Sequence, residues 1–303
     1  MNRFVALPAA VSGERHELDT PAGRLSYYTA CPDVTATTLH APLLLVHSIN
    51  AAGSAYEMRP LYEHYRASRT VYALELPGFG FSERSERDYT PRLMTDAILA
   101  MVQEIRRRHG AAPFDALALS LSSEFLARSA TEAPEAFHTL ALVSPTGFNG
   151  KTPRRGAPGS HRGMPWLYKT FTFPLWNRGF YKLLTSRRSI RFFLRKTFGS
   201  KEIDEGLWEY DWLTSHQPGA RHAPYYFVSG FLFSGDIRNV YEQLQMPVWM
   251  SHGVRGDFTD YRQKKDFEGK ANWTIEVFQT GALPHFEVPD AFIASYDAFL
   301  AGA

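Results

Sequence analysis

The 303-residue chain predicts an α/β fold: a mostly parallel sheet with helices on both faces, carrying one inserted and mainly helical segment. Three features point there. Short, continuous apolar runs such as PLLLVHS (42–48) have the composition of strands buried on both faces. Stretches with apolar residues at helical spacing alternate with those runs. The alternation stops near residue 149 and resumes near 237, and the interval between is aromatic and basic.

Taken in order, ERHELDT (14–20) and GRLSYYTA (23–30) read as two strands joined by a turn at Pro21–Gly23. PLLLVHS and TVYALELPG (70–78) follow as buried strands. Pro91–Arg108 carries Leu93, Ile98, Met101, Val102 and Ile105 at helical spacing. FDALALS (114–120) is a strand running straight into a helix over Ser122–Glu132, and HTLALVSP (138–145) is the next strand. After the interruption come PVWMSHG (247–253), WTIEVFQ (273–279) and a terminal helix at Asp290–Leu300. The chain thus divides into a core, 1–148 with 237–303, and an insertion at 149–236.

A content of 44% hydrophobic and 21% charged residues suits one large domain with an insertion better than two equal domains. No run of about 18 uninterrupted apolar residues is present, which argues against a spanning helix. The N-terminal apolar patch breaks at Pro8, too early for a signal peptide. Cys31 is the single cysteine, in keeping with a reducing, cytoplasmic setting. The net charge of +2 hides an asymmetry. Between Lys151 and Lys201 stand 13 Lys and Arg and no Asp or Glu, which leaves −11 on the remainder.

Between the fifth strand and its helix lies Ala118-Leu119-Ser120-Leu121-Ser122. A nucleophile on a sharp strand-to-helix turn is held in a strained backbone conformation, so the residues two before and two after must be small. Ala118 and Ser122 meet that demand for Ser120. Ser122 would itself be flanked by Glu124, too large for the turn. A serine capping a buried helix is the plainer alternative.

Three further stretches occur in a telling order: VHSINAAGS (46–54), ELPGFGFSER (75–84) and MPVWMSHGVRGDF (246–258). With the A-x-S-x-S turn they resemble the α/β-hydrolase superfamily, in its serine-nucleophile, lid-bearing branch. The family's motifs there are H-G-x-P, D-x-P-G-x-G-x-S (Glu75 replacing Asp), a strand leading to the acid, and G-x-S-x-G. The resemblance runs from about residue 40 to 300. It implies Ser120 as nucleophile and Asp257 as the acid that orients a histidine, with Asp260 as fallback. It also implies an oxyanion hole from the Ile49 and Leu121 N–H groups, with His47 anchoring the loop. Haloalkane dehalogenases, which use an Asp nucleophile, are disfavoured by Ser120.

The histidine turn departs from the pattern. The family commonly ends G-H-x-P-x-x-E-x-P-x-x-F, and TGALPHFEVP (280–289) followed by Phe292 puts Ala282 in the catalytic position. His285 stands three residues on. Either a remodelled turn presents His285 to Ser120, or His285 is an ordinary helix-start residue and the base is lost. The retained serine, its small flanks and the acid loop favour His285 as the base of a Ser120–His285–Asp257 triad. His252 is expected to point into the sheet edge.

Within the insertion, Arg187, Arg191 and Arg195 recur every four residues of Ser186–Phe198, a basic amphipathic helix pattern. Trp166, Phe171, Trp176 and Tyr225 are expected to line the substrate site beneath a lid. The segment reads either as a lid packed on the core with Arg heads in water, or as a greasy roof with a cationic rim. The second suits a hydrophobic substrate carrying an acidic group, or an anionic membrane surface. No nucleic-acid motif accompanies the charge. No metal-ligand spacing or phosphate-cradling glycine loop is present, so neither metal nor cofactor is expected. The expected activity is hydrolysis of an ester or similar acyl bond. A non-hydrolytic binding protein of this fold, and a C–C bond hydrolase or cyclase, are the alternatives.

Overall fold

The computed structural model describes residues 5–32 and 40–303. Its sheet has eight strands: β1 (Glu14–Thr20), β2 (Gly23–Ala30), β3 (His40–Val46), β4 (Arg69–Glu75), β5 (Phe114–Leu119), β6 (Phe137–Val143), β7 (Val248–Gly253) and β8 (Trp273–Phe278). They lie in the order β1-β2-β4-β3-β5-β6-β7-β8. The β1 hairpin partner β2 pairs antiparallel with β4, and every pairing from β4 through β8 is parallel. Helices α1 (Arg59–Tyr65), α2 (Pro91–His109) and α3 (Ser122–Glu132) belong to the first half. Between β6 and β7 stand α4 (Pro165–Thr172), α5 (Asn177–Leu184), α6 (Arg187–Phe198), α7 (Glu205–Ser215), α8 (His222–Val228) and α9 (Ile237–Gln243). The chain closes with α10 (Pro284–Glu287) and α11 (Pro289–Gly302). The first four residues of the N-terminal patch lie outside the described residues.

The continuous apolar runs arise because the sheet is covered twice. Along β3, Leu44 and Val46 join the cluster that includes Ile98, Phe125 and Tyr241. Leu43 and Leu45 join the opposite one, with Leu61, Trp249 and Tyr296. Successive side chains of a strand point to opposite faces, so a strand sandwiched between helices has no position left for a polar residue.

One polar cluster is buried nevertheless. The Arg69 guanidinium at the start of β4 pairs with the Asp115 carboxylate on β5, both nearly sealed from water. Asp115 also accepts hydrogen bonds from Thr139 Oγ1 at 2.6 Å and His138 Nδ1 at 3.0 Å on β6. Strands on either side of β3 and β5 are thereby pinned at one end.

In the insertion, two arginines of the stripe pair with acids at the surface and Arg195 stays exposed. Arg187 forks onto Glu209 at 2.7 and 2.9 Å, and Arg191 pairs with Glu205. Arg187 also lies over the rings of Trp208 and Trp212, and Arg191 over Trp208. Helices α6 and α7 are clasped by charge, so the open cationic rim read from this stripe is half neutralised by α7. Among the described residues no helix is long and apolar enough to cross a membrane.

Removing the Asp115 carboxylate strands a buried guanidinium. Asp115→Ala is therefore expected to destabilise the fold by roughly 3–5 kcal/mol, read from the midpoint of urea unfolding. A loss below about 1 kcal/mol would mean that the cluster is solvated.

Candidate active site

Ser120 follows β5 directly, and its backbone is left-handed, with φ 57°. L-residues avoid that region at a cost of about 1–2 kcal/mol, so the turn must be held from several sides. The Ser120 N–H donates to Val143 O at 2.8 Å, and Ser123 Oγ reaches back to Ala118 O at 3.2 Å. Ser122 Oγ donates to His47 O at 2.5 Å, fastening α3 to the loop after β3. The small residues at 118 and 122 are both fully buried.

That loop carries Ile49, one of the two expected oxyanion donors; Leu121, the other, follows Ser120. Among the described residues, the Ile49 and Leu121 N–H groups are committed to no other acceptor, and Leu121 precedes the first turn of α3, where a helix favours negative charge. His47 anchors the loop: its Nδ1–H donates to Ser48 O at 2.6 Å and its Nε2 accepts from the Leu76 N–H at 3.0 Å. Burial pushes the His47 imidazole down to about 4, so it stays neutral. The glycine turn 75–84 packs alongside. Glu75 accepts from the Phe81 N–H at 2.6 Å, and any Cβ on Gly80 would fall 1.9 Å from its carboxylate.

A cavity of about 290 Å³ opens in front of Ser120. Its floor is Ser48–Ala52, Leu119, Ser120, Ser144, Ala282 and Leu283. Its roof comes from the insertion, with Ile190, Phe193 and Leu194 of α6, Leu207 and Asp211 of α7, and Phe227 of α8. The expected aromatic lining is corrected here. Trp166 and Trp176 are exposed on the outside, with Trp176 Nε1 on Thr170 O. Phe171 stacks on Phe180 at 4.8 Å, and Tyr225 donates to Asn177 O, so both belong to a small core of α4, α5 and α8. Helical spacing revealed the apolar faces without revealing which one meets the sheet.

The three residues of the expected triad are not brought together. His285 is fully buried on α10, and its Nε2–H donates to Glu57 O at 2.8 Å. Its Nδ1 has no partner among the described residues, its ring packs against Phe286 and Phe292, and it lies off the cavity wall. Burial depresses this imidazole to about 4, too weak a base at neutral pH. Asp257 stands on the surface in an ion pair with Lys196 at 3.1 Å, because its loop packs on the end of α6. Asp260 is spent on the Gly150 N–H and Arg262. Ala282, the residue aligned with the family histidine, does line the cavity. His252 is buried on β7, stacked on Tyr261 and bonded to Gly253 O.

Three wall residues had not been singled out from the sequence. Ser144, at the end of β6, is a second left-handed serine, φ 47°, whose Oγ donates to Ala282 O at 2.8 Å. Its place at the carboxyl end of a parallel strand was a usable signal, since sites gather there. Glu57 accepts from the Ser48 N–H at 2.6 Å, Ser48 Oγ at 2.9 Å and Asn50 Nδ2 at 2.7 Å, while burial raises its pKa. Asp211 is buried and its Oδ1 has no partner among the described residues. Burial first, then the Glu57 and Asp204 charges, push its carboxyl well above the usual range.

His285 gives this site a pH signature. Folded, it stays neutral down to about 4; unfolded, it takes a proton near 6.5. The unfolded chain therefore binds more protons in that window, and the His285 contribution is present above it and withdrawn as pH falls through it, by on the order of 3 kcal/mol. Glu57 and Asp211, raised by burial, act in the opposite sense, so the comparison is with a variant. His285→Gln keeps an N–H for Glu57 O and is expected to lose less stability than wild type between pH 6.5 and 4 in urea titrations. Parallel curves would contradict a depressed imidazole.

The comparisons with known proteins agree with this architecture. Residues 43–295 match the profile described as "Alpha/beta hydrolase family". A serine hydrolase involved in carbazole degradation, the CarC enzyme, superposes with a TM-score of 0.72 at 12% identity, over 96% of this chain and 100% of its own. The carboxylesterase CesB from Bacillus subtilis gives 0.66 at 18% identity, over 96% and 93%. The enol-lactonase from Burkholderia xenovorans LB400 gives 0.69 at 14%, over 94% and 100%. No curated protein matches the sequence.

Proposed function

Given that the chain belongs to the α/β-hydrolase family, we propose that it is a serine-type hydrolase for an ester or similar acyl bond of a hydrophobic substrate, with residues 149–236 as its lid. The observation that carries this reading is the strained Ser120 opening into a largely apolar cavity beside two uncommitted N–H groups. Ser120 Oγ adds to the substrate carbonyl carbon, and the carbonyl oxygen becomes an oxyanion received by the Ile49 and Leu121 N–H groups. Water takes the Ser120 hydroxyl proton and returns one to the departing alkoxide as the C–O bond breaks, so the alcohol leaves, and water then attacks the acyl-enzyme in the same way. The likeness to a carboxylesterase and an enol-lactonase supports acyl chemistry.

Proton traffic is where this chain departs from its family. The titratable groups on the cavity wall are Glu57 and Asp211, and no imidazole is among them. Lacking a base poised on Ser120, acylation forgoes roughly 10²–10⁴-fold in rate. Strong electrophiles should therefore react where ordinary esters turn over slowly. A fluorophosphonate is expected to label the wild type, to fail on Ser120→Ala, and to label His285→Gln within about twofold of the wild-type rate. Loss of labelling in folded His285→Gln would return the imidazole to the mechanism.

A wild type inert to the probe would instead favour the second reading, a non-hydrolytic binding protein of this fold. Ala282, a methyl on the wall where the base would stand, is the observation on its side.

The outer face of the lid is proposed to meet an anionic membrane surface. Trp166, Leu175, Trp176 and Leu183 are exposed there, with Lys169, Arg178 and Lys182 exposed among them. Aromatic and cationic side chains in one patch suit the headgroup layer of an anionic bilayer. The protein is expected to sediment with phosphatidylglycerol vesicles and not with phosphatidylcholine, and Trp166→Ala with Leu175→Ala to weaken that at least fivefold. Equal partition onto both lipids would set this surface aside.

A further inference from the structure

The charge of the cavity interior is opposite to that of the lid around it. Its two ionisable wall residues are both carboxylic acids, Glu57 from the loop after β3 and Asp211 from α7, and no Lys, Arg or His lines it. Both are at least nine-tenths buried. Glu57 is held by three donors, but Asp211 Oδ1 is sealed from water with no donor at all among the described residues. A buried carboxyl in that position either keeps its proton or waits for a counter-charge from outside. The rest of the wall suits an apolar body: Phe193, Phe227 and Phe258 line it beside Leu184, Leu194 and Leu207.

We propose that the Ser120 cavity is built for a ligand carrying a basic nitrogen, an aliphatic ammonium held by the Asp211 and Glu57 carboxyls with its hydrocarbon part against the lid. This rests on the reading of the cavity as the substrate site and names its substrate class: amphiphiles with an amine, in place of the acidic group suggested by the basic sequence of the lid. The orphaned oxygen selects the class. An ammonium supplies N–H donors and a compensating charge together, a neutral alcohol supplies only a donor, and a carboxylate brings negative charge to a wall whose described residues include two carboxyls and no cation.

The test is binding of three probes of equal length, n-octylamine, 1-octanol and octanoate, to wild type, Asp211→Asn and Ser120→Ala, followed by calorimetry with folding checked by circular dichroism. Wild type is expected to bind octylamine at least tenfold more tightly than either of the others. Asp211→Asn, isosteric and uncharged, should cut that preference below threefold. Octanol or octanoate binding wild type within threefold of the amine would overturn the proposal, as would a preference that survives in Asp211→Asn. Ser120→Ala separates the two readings. An amine preference intact there, with wild type inert to the fluorophosphonate, upholds the site and removes hydrolysis. Labelling without any amine preference does the reverse.

Discussion

Glu57 is the residue on which the site depends. Its carboxylate gathers the Ser48 N–H, the Ser48 hydroxyl and the Asn50 amide, which fixes the loop that presents Ile49 to Ser120. Its carbonyl takes the Nε2–H of His285 and so ties α10 to the same segment. Hydrogen bonds to a buried acceptor are costly to break, because the stranded partner loses water as well as its bond. One residue in the short helical turn Ala55–Met58 therefore holds the loop after β3 through its side chain, α10 through its backbone, and one wall of the cavity. His285 spends its Nε2–H on that carbonyl and packs its ring in the core, off the cavity wall that holds Ser120.

Much of the fold was legible in the sequence. Every strand read from apolar runs exists within a few residues of its expected bounds, and α2, α3, α6 and α11 follow their periodicities. The reason is physical: a strand covered on both faces, like Leu43–Val46, must be apolar at every position. Short α1 and α10 gave no such signal, since four to seven residues carry too few periods to register. The nucleophile turn was legible because left-handed backbone constrains neighbours, and Ala118 and Ser122 record that constraint.

The chemistry was legible only in part. Alignment on Glu-x-Pro-x-x-Phe put Ala282 at the histidine position, and Ala282 does face the cavity. Spacing could not tell that the next histidine would turn into the core toward Glu57. Asp257 satisfied a loop pattern, yet Lys196 and the end of α6 draw it to the surface. Glu57 and Asp211 were invisible for a different reason. Glu57 is a single acid in AYEM and Asp211 one of several acids in EGLWEYDW, neither in a recognisable motif, and only the tertiary fold brings them to one wall.

The clasp between α6 and α7 has a consequence for access. The floor of the cavity is strand ends locked into the sheet, but its roof is held by Arg187–Glu209 and Arg191–Glu205, pairs with substantial solvent contact. Exposed pairs of this kind are worth about 0.2–1 kcal/mol each and weaken as salt screens them. Floor and roof thus answer to different variables. The backbone under Ser120 is tied into the sheet by hydrogen bonds that salt does not screen, whereas the α6–α7 roof above it is held in part by pairs that salt does weaken, so if substrate enters there, ionic strength should act on its entry.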